Sequence, residues 1–88
     1  ETTHTYTIDF TLPNGILVET KGRWVLEDRK KHLLIQTQHP ELDIRLVFQN
    51  SKGKIRKGSK TTYADFCNKH SIVWADKSIP TSWYNEKP

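Results

Sequence analysis

Asp9-Phe10-Thr11-Leu12-Pro13-Asn14-Gly15-Ile16-Leu17-Val18-Glu19-Thr20-Lys21 is the stretch that decides how this chain folds. Proline presets φ for the first position of a turn, and glycine accepts the left-handed conformation that closes a three-residue hairpin loop. With Leu12 and Ile16 as the partners flanking that loop, Asp9 stands directly across from Glu19. Side chains alternate faces along a strand, so Lys21 joins the two acids on one face, diagonal to Asp9. Opposed carboxylates repel unless a cation lies between them. Lys21 is one such cation, and a divalent metal with an adjacent ammonium is another.

Outward from the hairpin, residues 5–12 alternate, with Tyr6, Ile8, Phe10 and Leu12 on one face and Thr5, Thr7, Asp9 and Thr11 on the other. This predicts a half-buried strand. A second strand over residues 16–21 buries Ile16 and Val18 opposite Glu19, while Leu17 shares the acidic face. Gly22 ends it. Trp24, Val25 and Leu26 lead into a helix from about Asp28 to Gln38, with Asp28 as N-cap and Leu33, Leu34 and Ile35 as its core anchors. Asp28, His32, Gln36 and His39 fall on one stripe, which reads as surface rather than a zinc site. Pro40 stops the helix, and residues 44–48 form a strand. Strand, helix and strand with short connections predict a parallel pair joined by a right-handed crossover.

Residues 52–60 carry five positive charges and two glycines, which reads as a mobile loop or short hairpin. Thr62 to Asp65 fits a capping box with Asp in place of Glu. The helix it opens runs to about His70, with Tyr63, Phe66, Cys67 and His70 as its packed face. Cys67 therefore reads as a small core residue rather than a nucleophile. Residues 72–75 predict a last parallel strand. Residues 79–84 read as an irregular tail whose aromatics cover an edge of the core, base stacking being the alternative. The sum is an α/β fold, a mixed four-stranded sheet flanked by helices, in one domain over residues 1–88.

Composition sets the limits. The 88 residues are 34% hydrophobic and 27% charged, enough for one modest core. No run approaches a membrane span, no signal peptide is readable, and the chain opens at Glu1, as a fragment or processed product would. One cysteine excludes an internal disulfide and suits a reducing, cytoplasmic setting. The net charge is +4; apart from Asp9 and Glu19, eight acids face fourteen Lys and Arg. A basic body around a small acidic centre suits a polyanion held beside a metal. Arg29, Lys30 and Lys31, and Lys52, Lys54, Arg56 and Lys57, are the candidate phosphate contacts. A solvated helix face and a solubilising loop are the plainer readings of these runs. No Ser-His-Asp or Cys-His arrangement is readable from spacing.

An aspartate, then a glutamate, one residue and a lysine on the next strand suit metal-assisted phosphodiester hydrolysis. Asp9 and Glu19 would hold Mg²⁺ or Mn²⁺, hard ions that prefer oxygen. The Thr20 carbonyl is a natural further ligand, and the Lys21 ammonium can orient water or stabilise charge on the phosphate. As a bare pattern this is weak; the hairpin register and the following strand-helix-strand unit make it specific.

The runs His4 to Phe10, Leu12 to Ile16 and Val18 to Gly22 resemble the phage endonuclease I family of Holliday-junction resolvases. So do Asp28 to Ile35, Gln38 to Arg45, Phe66-Cys67, Lys69-His70, Ala75 to Lys77 and Ile79-Pro80, so that nearly the whole chain is covered. The resemblance implies a restriction-endonuclease-like PD-(D/E)xK core, Mg²⁺-dependent cleavage of branched double-stranded DNA in a phage-infected or prophage-carrying bacterial cell, and Asp9, Glu19 and Lys21 at the catalytic positions. Ile8 replaces the proline of that signature. The resemblance also implies a further catalytic glutamate on an upstream helix and an intertwined homodimer formed through that segment, both outside these 88 residues. A same-superfamily nuclease for linear or nicked DNA, and a DNA-binding module or inactive fragment, are the alternatives.

Overall fold

A computed structural model describes residues 8–87. The strands are β1 (Phe10–Thr11), β2 (Leu17–Lys21), β3 (Ile44–Phe48) and β4 (Trp74–Asp76), and the helices are α1 (Leu26–Gln38), α2 (Tyr63–Lys69) and α3 (Thr81–Tyr84). They form one mixed sheet in the order β1-β2-β3-β4, with β1 antiparallel to β2 and both later pairs parallel. The expected α/β architecture and strand directions hold.

The turn is the predicted one. Leu12 N–H donates to Ile16 O at 2.8 Å and Gly15 N–H to Leu12 O at 2.9 Å, around Pro13-Asn14-Gly15. Gly15 has φ +93°, where a side chain is strained. The register pairs Phe10 with Val18 and Thr11 with Leu17, and Asp9, just before β1, donates its N–H to Val18 O at 3.1 Å. Of the long first strand expected over residues 5–12, positions 5–7, and His4 before them, lie outside the described residues. Phe10 is a correction: expected in the core, it is 51% exposed.

Two crossovers of one hand that advance in one direction leave their helices on the same side of a sheet. α1 and α2 accordingly share a core of Trp24, Leu46, Phe48, Cys67 and Ile72, with Leu33, Tyr63 and Phe66 packed against it. Trp24 is its hub, contacting Phe48 at 5.4 Å, Phe66 at 5.3 Å and Tyr63 at 6.2 Å between ring centroids. The packed face expected for α2 is present, and its capping box is complete. The other side of the sheet is closed by Leu12, Ile16, Val18, Val47 and Trp83.

Four expectations change in detail. α1 begins at Leu26 with Val25 as N-cap and no side-chain cap, so Asp28 lies inside the helix rather than capping it. Leu34 is 55% exposed, and α1 instead buries Arg29 and His32, with Leu33 half-buried beside them. The last strand is shifted to Trp74–Asp76, leaving Val73 exposed. The tail forms the short helix α3, which buries Trp83.

Residues 52–62 make an irregular hairpin, pinned by a Lys54–Thr62 bridge and by Ile55 N–H donating to Thr61 O at 2.9 Å. Its base is fastened to the end of β4, where the Asp76 carboxylate accepts from Ser51 N–H at 2.8 Å and Ser51 Oγ at 2.7 Å. These bonds hold the Asp76 carboxyl below its usual range, helped by the charges of Lys77 and Lys52. Among the described residues no helix is long and apolar enough to cross a membrane.

Candidate metal centre

The alternation of β2 separates two sets of side chains. Glu19 is level with Leu46 and Lys21 with Phe48, on the side of the sheet that carries α1. Val18 turns to the opposite core beside Val47. Glu19 is thereby only 5% exposed. A buried carboxylate requires compensation. One oxygen has it, with Lys21 Nζ 2.5 Å from Glu19 Oε1. The other, Oε2, is buried with no hydrogen-bond donor among the described residues. Lys21 is also 3.7 Å from Asp28 Oδ2, so the ammonium sits between a strand carboxylate and a helix carboxylate.

Asp9 departs from the expected geometry. It lies just outside β1, and its carboxylate turns to Thr20. Oδ2 accepts from Thr20 N–H at 2.8 Å and from Thr20 Oγ1 at 3.0 Å. The side chain thus takes the backbone donor that would continue the ladder, which explains why β1 starts at Phe10. Strand carbonyls alternate direction. The Lys21 carbonyl accepts from Gln49 N–H at 3.0 Å on the β3 side, so the Thr20 carbonyl faces the β1 side, with Asp9.

The oxygens present fit a hard divalent ion: a carboxylate pinned on one oxygen, a buried glutamate oxygen lacking a donor, and a main-chain carbonyl directed to the same edge. Asp9, Glu19 and Thr20 would hold it. Among the described residues no group of three His, Cys, Asp or Glu side chains converges as a metal cage.

His32, assigned to the surface from its spacing, is a correction. It is 3% exposed, packed edge-on to Trp24 at 6.1 Å between ring centroids. Burial, and then the positive charge of Lys21, lower its pKa from 6.5 to about 4. It is a neutral imidazole beneath the candidate centre at neutral pH. The same stripe otherwise divides: Gln36 donates to His70 O at 3.1 Å, and His39 is exposed beside Glu41.

The candidate phosphate contacts also divide. Lys52, Lys54, Arg56 and Lys57 are exposed on the hairpin that follows β3, at the same end of the parallel strands as Lys21. Lys30 is exposed and Lys31 half-buried. Arg29 is turned inward, its guanidinium 5.5 Å from the centre of the Phe66 ring, and is not a surface cation in this structure. Cys67 is fully buried, its thiol pushed up to about 12 by burial, which suits a core residue and not a nucleophile.

Sequence comparison identifies the family. The family model "Phage endonuclease I" matches residues 1–88. The chain is 65% identical to "Endonuclease I" of Escherichia phage T7 over 83 residues, covering 94% of this chain and 56% of that protein. It is 60% identical to "Endodeoxyribonuclease 1" of Enterobacteria phage T3 over 86 residues, covering 98% of this chain and 57% of that protein. The chain spans about half the length of these relatives. On a match over its full length and on this identity, the chain belongs to the phage endonuclease I family.

Proposed function

We propose that this chain is the core of a metal-dependent, structure-selective DNA endonuclease with a PD-(D/E)xK-type site, acting in the phage-infected cell on branched duplexes such as four-way junctions. The observation that carries the reading is Glu19: a buried carboxylate with one oxygen on Lys21 and the other without a donor. Asp9, Glu19 and the Thr20 carbonyl would hold the ion, Mg²⁺ or Mn²⁺. Bound there, such an ion would lower the pKa of a bound water and offset charge on the phosphate. Glu19 and Asp28 keep the Lys21 ammonium beside the reacting phosphate, where it stabilises the negative charge of the transition state. Lys52, Lys54, Arg56 and Lys57 position the strand through its phosphates.

Among the described residues no three acids converge at this centre, which favours a second reading, in which these residues alone bind DNA and cut poorly, as a module or inactive fragment. The third alternative, cleavage of linear or nicked DNA, is separated by substrate. A four-way junction and a matched linear duplex are incubated with the chain in Mg²⁺ or EDTA. Junction cleavage that requires Mg²⁺ and falls at least a hundredfold in Glu19→Gln and Lys21→Ala supports the endonuclease. Cleavage that survives EDTA, or is unchanged in Glu19→Gln, refutes the metal site. Mn²⁺ binding followed by electron paramagnetic resonance, without DNA, tests the same ligands and should weaken in Asp9→Asn and Glu19→Gln.

A further inference from the structure

Phe10 and Tyr84 are each 51% exposed and come from opposite ends of the chain to one place. They line an open pocket of about 460 Å³, together with Thr20, Lys77, half-buried Ile79 and buried Val47. Its size lies in the usual range for small-ligand sites, roughly 300–1,000 Å³. Thr20 is shared with the candidate metal centre, where it holds Asp9 by two hydrogen bonds. The pocket and the centre therefore lie on either side of a single strand position.

The charge at the rim is positive. Lys77 lines the pocket, and both Lys77 and Lys52 act on the neighbouring Asp76 carboxylate. Lys77 is held at φ +72°, a conformation that a non-glycine residue adopts only when its surroundings impose it. Its N–H donates to Phe48 O at 2.7 Å and its Nζ to Gln49 O at 3.1 Å. Two accessible rings, an aliphatic floor and a fixed cationic edge match one ligand chemistry: a flat group with an apolar face, attached to an anion.

We propose that this pocket receives one unstacked nucleobase of the DNA substrate, next to the phosphodiester at Asp9 and Glu19. The proposal rests on the endonuclease reading and deepens it. A base in an intact duplex must be unpaired and unstacked before it can enter, whereas a branch point or single-stranded segment offers it at lower cost. Selectivity for branched DNA then arises at Phe10 and Tyr84, without reading sequence, because every base presents a stacking face.

The test compares two short oligonucleotides with the same number of phosphates: one of thymidine, the other with every base replaced by an abasic site. Proton–nitrogen correlation spectra of the chain report where each binds. The thymidine strand should shift the amides of Phe10, Thr20, Ile79 and Tyr84, and the abasic strand should leave them in place. Tyr84→Ala should weaken the thymidine strand roughly fivefold to a hundredfold, the range for loss of one stacking aromatic. It should leave the abasic strand's affinity unchanged, and Tyr84→Phe should restore binding. Equal affinity and equal shifts for both strands would overturn the proposal, as would failure of the wild-type chain to bind either. Pocket shifts that follow protein concentration without DNA would assign the surface to a second copy instead. Junction cleavage is read separately. A chain that cuts but fails here is an endonuclease without a base pocket; one that passes but does not cut keeps the pocket and loses the endonuclease reading.

Discussion

His32 makes the stability of the protein depend on pH, because folding removes a titratable imidazole from water and sets it near Lys21. Its pKa is about 4 when folded against 6.5 as the free group. Between these values the unfolded chain binds a proton that the folded chain does not, so falling pH favours unfolding. The loss begins near pH 6.5, is complete near pH 4 and amounts to about 3 kcal/mol. Urea unfolding followed by tryptophan fluorescence should show the midpoint falling from pH 7 to pH 4, and His32→Gln should flatten that segment of the curve. A wild-type midpoint independent of pH in this range would refute a neutral buried His32. Glu19 and Lys21 were legible in the sequence because a three-residue turn fixes register within a dozen residues. His32 and Arg29 were not. An imidazole or an arginine stem serves as core surface only when an aromatic ring lies against it, here Trp24 and Phe66, and those rings belong to segments distant in sequence or on a different element.

At the scale of elements, α2 is held at its start by a reciprocal pair of bonds. Thr62 Oγ1 accepts from Asp65 N–H and Asp65 Oδ2 accepts from Thr62 N–H, each at 3.1 Å. Thr62→Ala removes one of them and leaves a helix donor to water, which should lower stability by about 1 kcal/mol. Thr62→Ser keeps the acceptor and should recover most of it, as read by the urea midpoint. Both the cap and the helix it opens could be read from four consecutive residues. α1 could not be placed so well, because its cap, Val25, uses no side chain and its buried face is carried by charged residue types. Counting apolar positions selects Leu33 and Leu34, yet Leu34 lies about 140° around the helix from Arg29 and so faces away from the core that Arg29, His32 and Leu33 share. Arg29, one turn before Leu33, and His32 next to it settle which of the two leucines turns inward.

Across the whole molecule, the C-terminal segment locks the hairpin to the sheet. Asn14 in the β1-β2 turn donates from Nδ2 to Trp83 O at 2.7 Å and to Glu86 O at 2.8 Å. Arg45 on β3 bonds Asp43 at 2.7 Å and Glu86 at 2.6 Å, and its guanidinium lies 5.2 Å from the Trp83 ring centre. These carboxylates raise the Arg45 pKa, and Arg45 in turn holds the Glu86 carboxyl below its usual range. Trp83 fills the core beneath Leu12, Ile16 and Val18, so the strand that carries Glu19 depends on a residue near the far end of the chain. Trp83→Ala should cost about 3–5 kcal/mol, as for a buried tryptophan. Its neighbour Tyr84 is exposed at the pocket rim, and Tyr84→Ala should stay within about 0.5 kcal/mol of wild type. Amide exchange adds a spatial readout, since only Trp83→Ala should lose protection at Val18 and Val47, on the opposite side of the sheet from α1. Equal midpoints for the two variants would mean that the tail merely rests on the sheet. A selective loss in Trp83→Ala would show that one aromatic of this pair holds the β1-β2 hairpin to the sheet while the next stays exposed at the pocket rim.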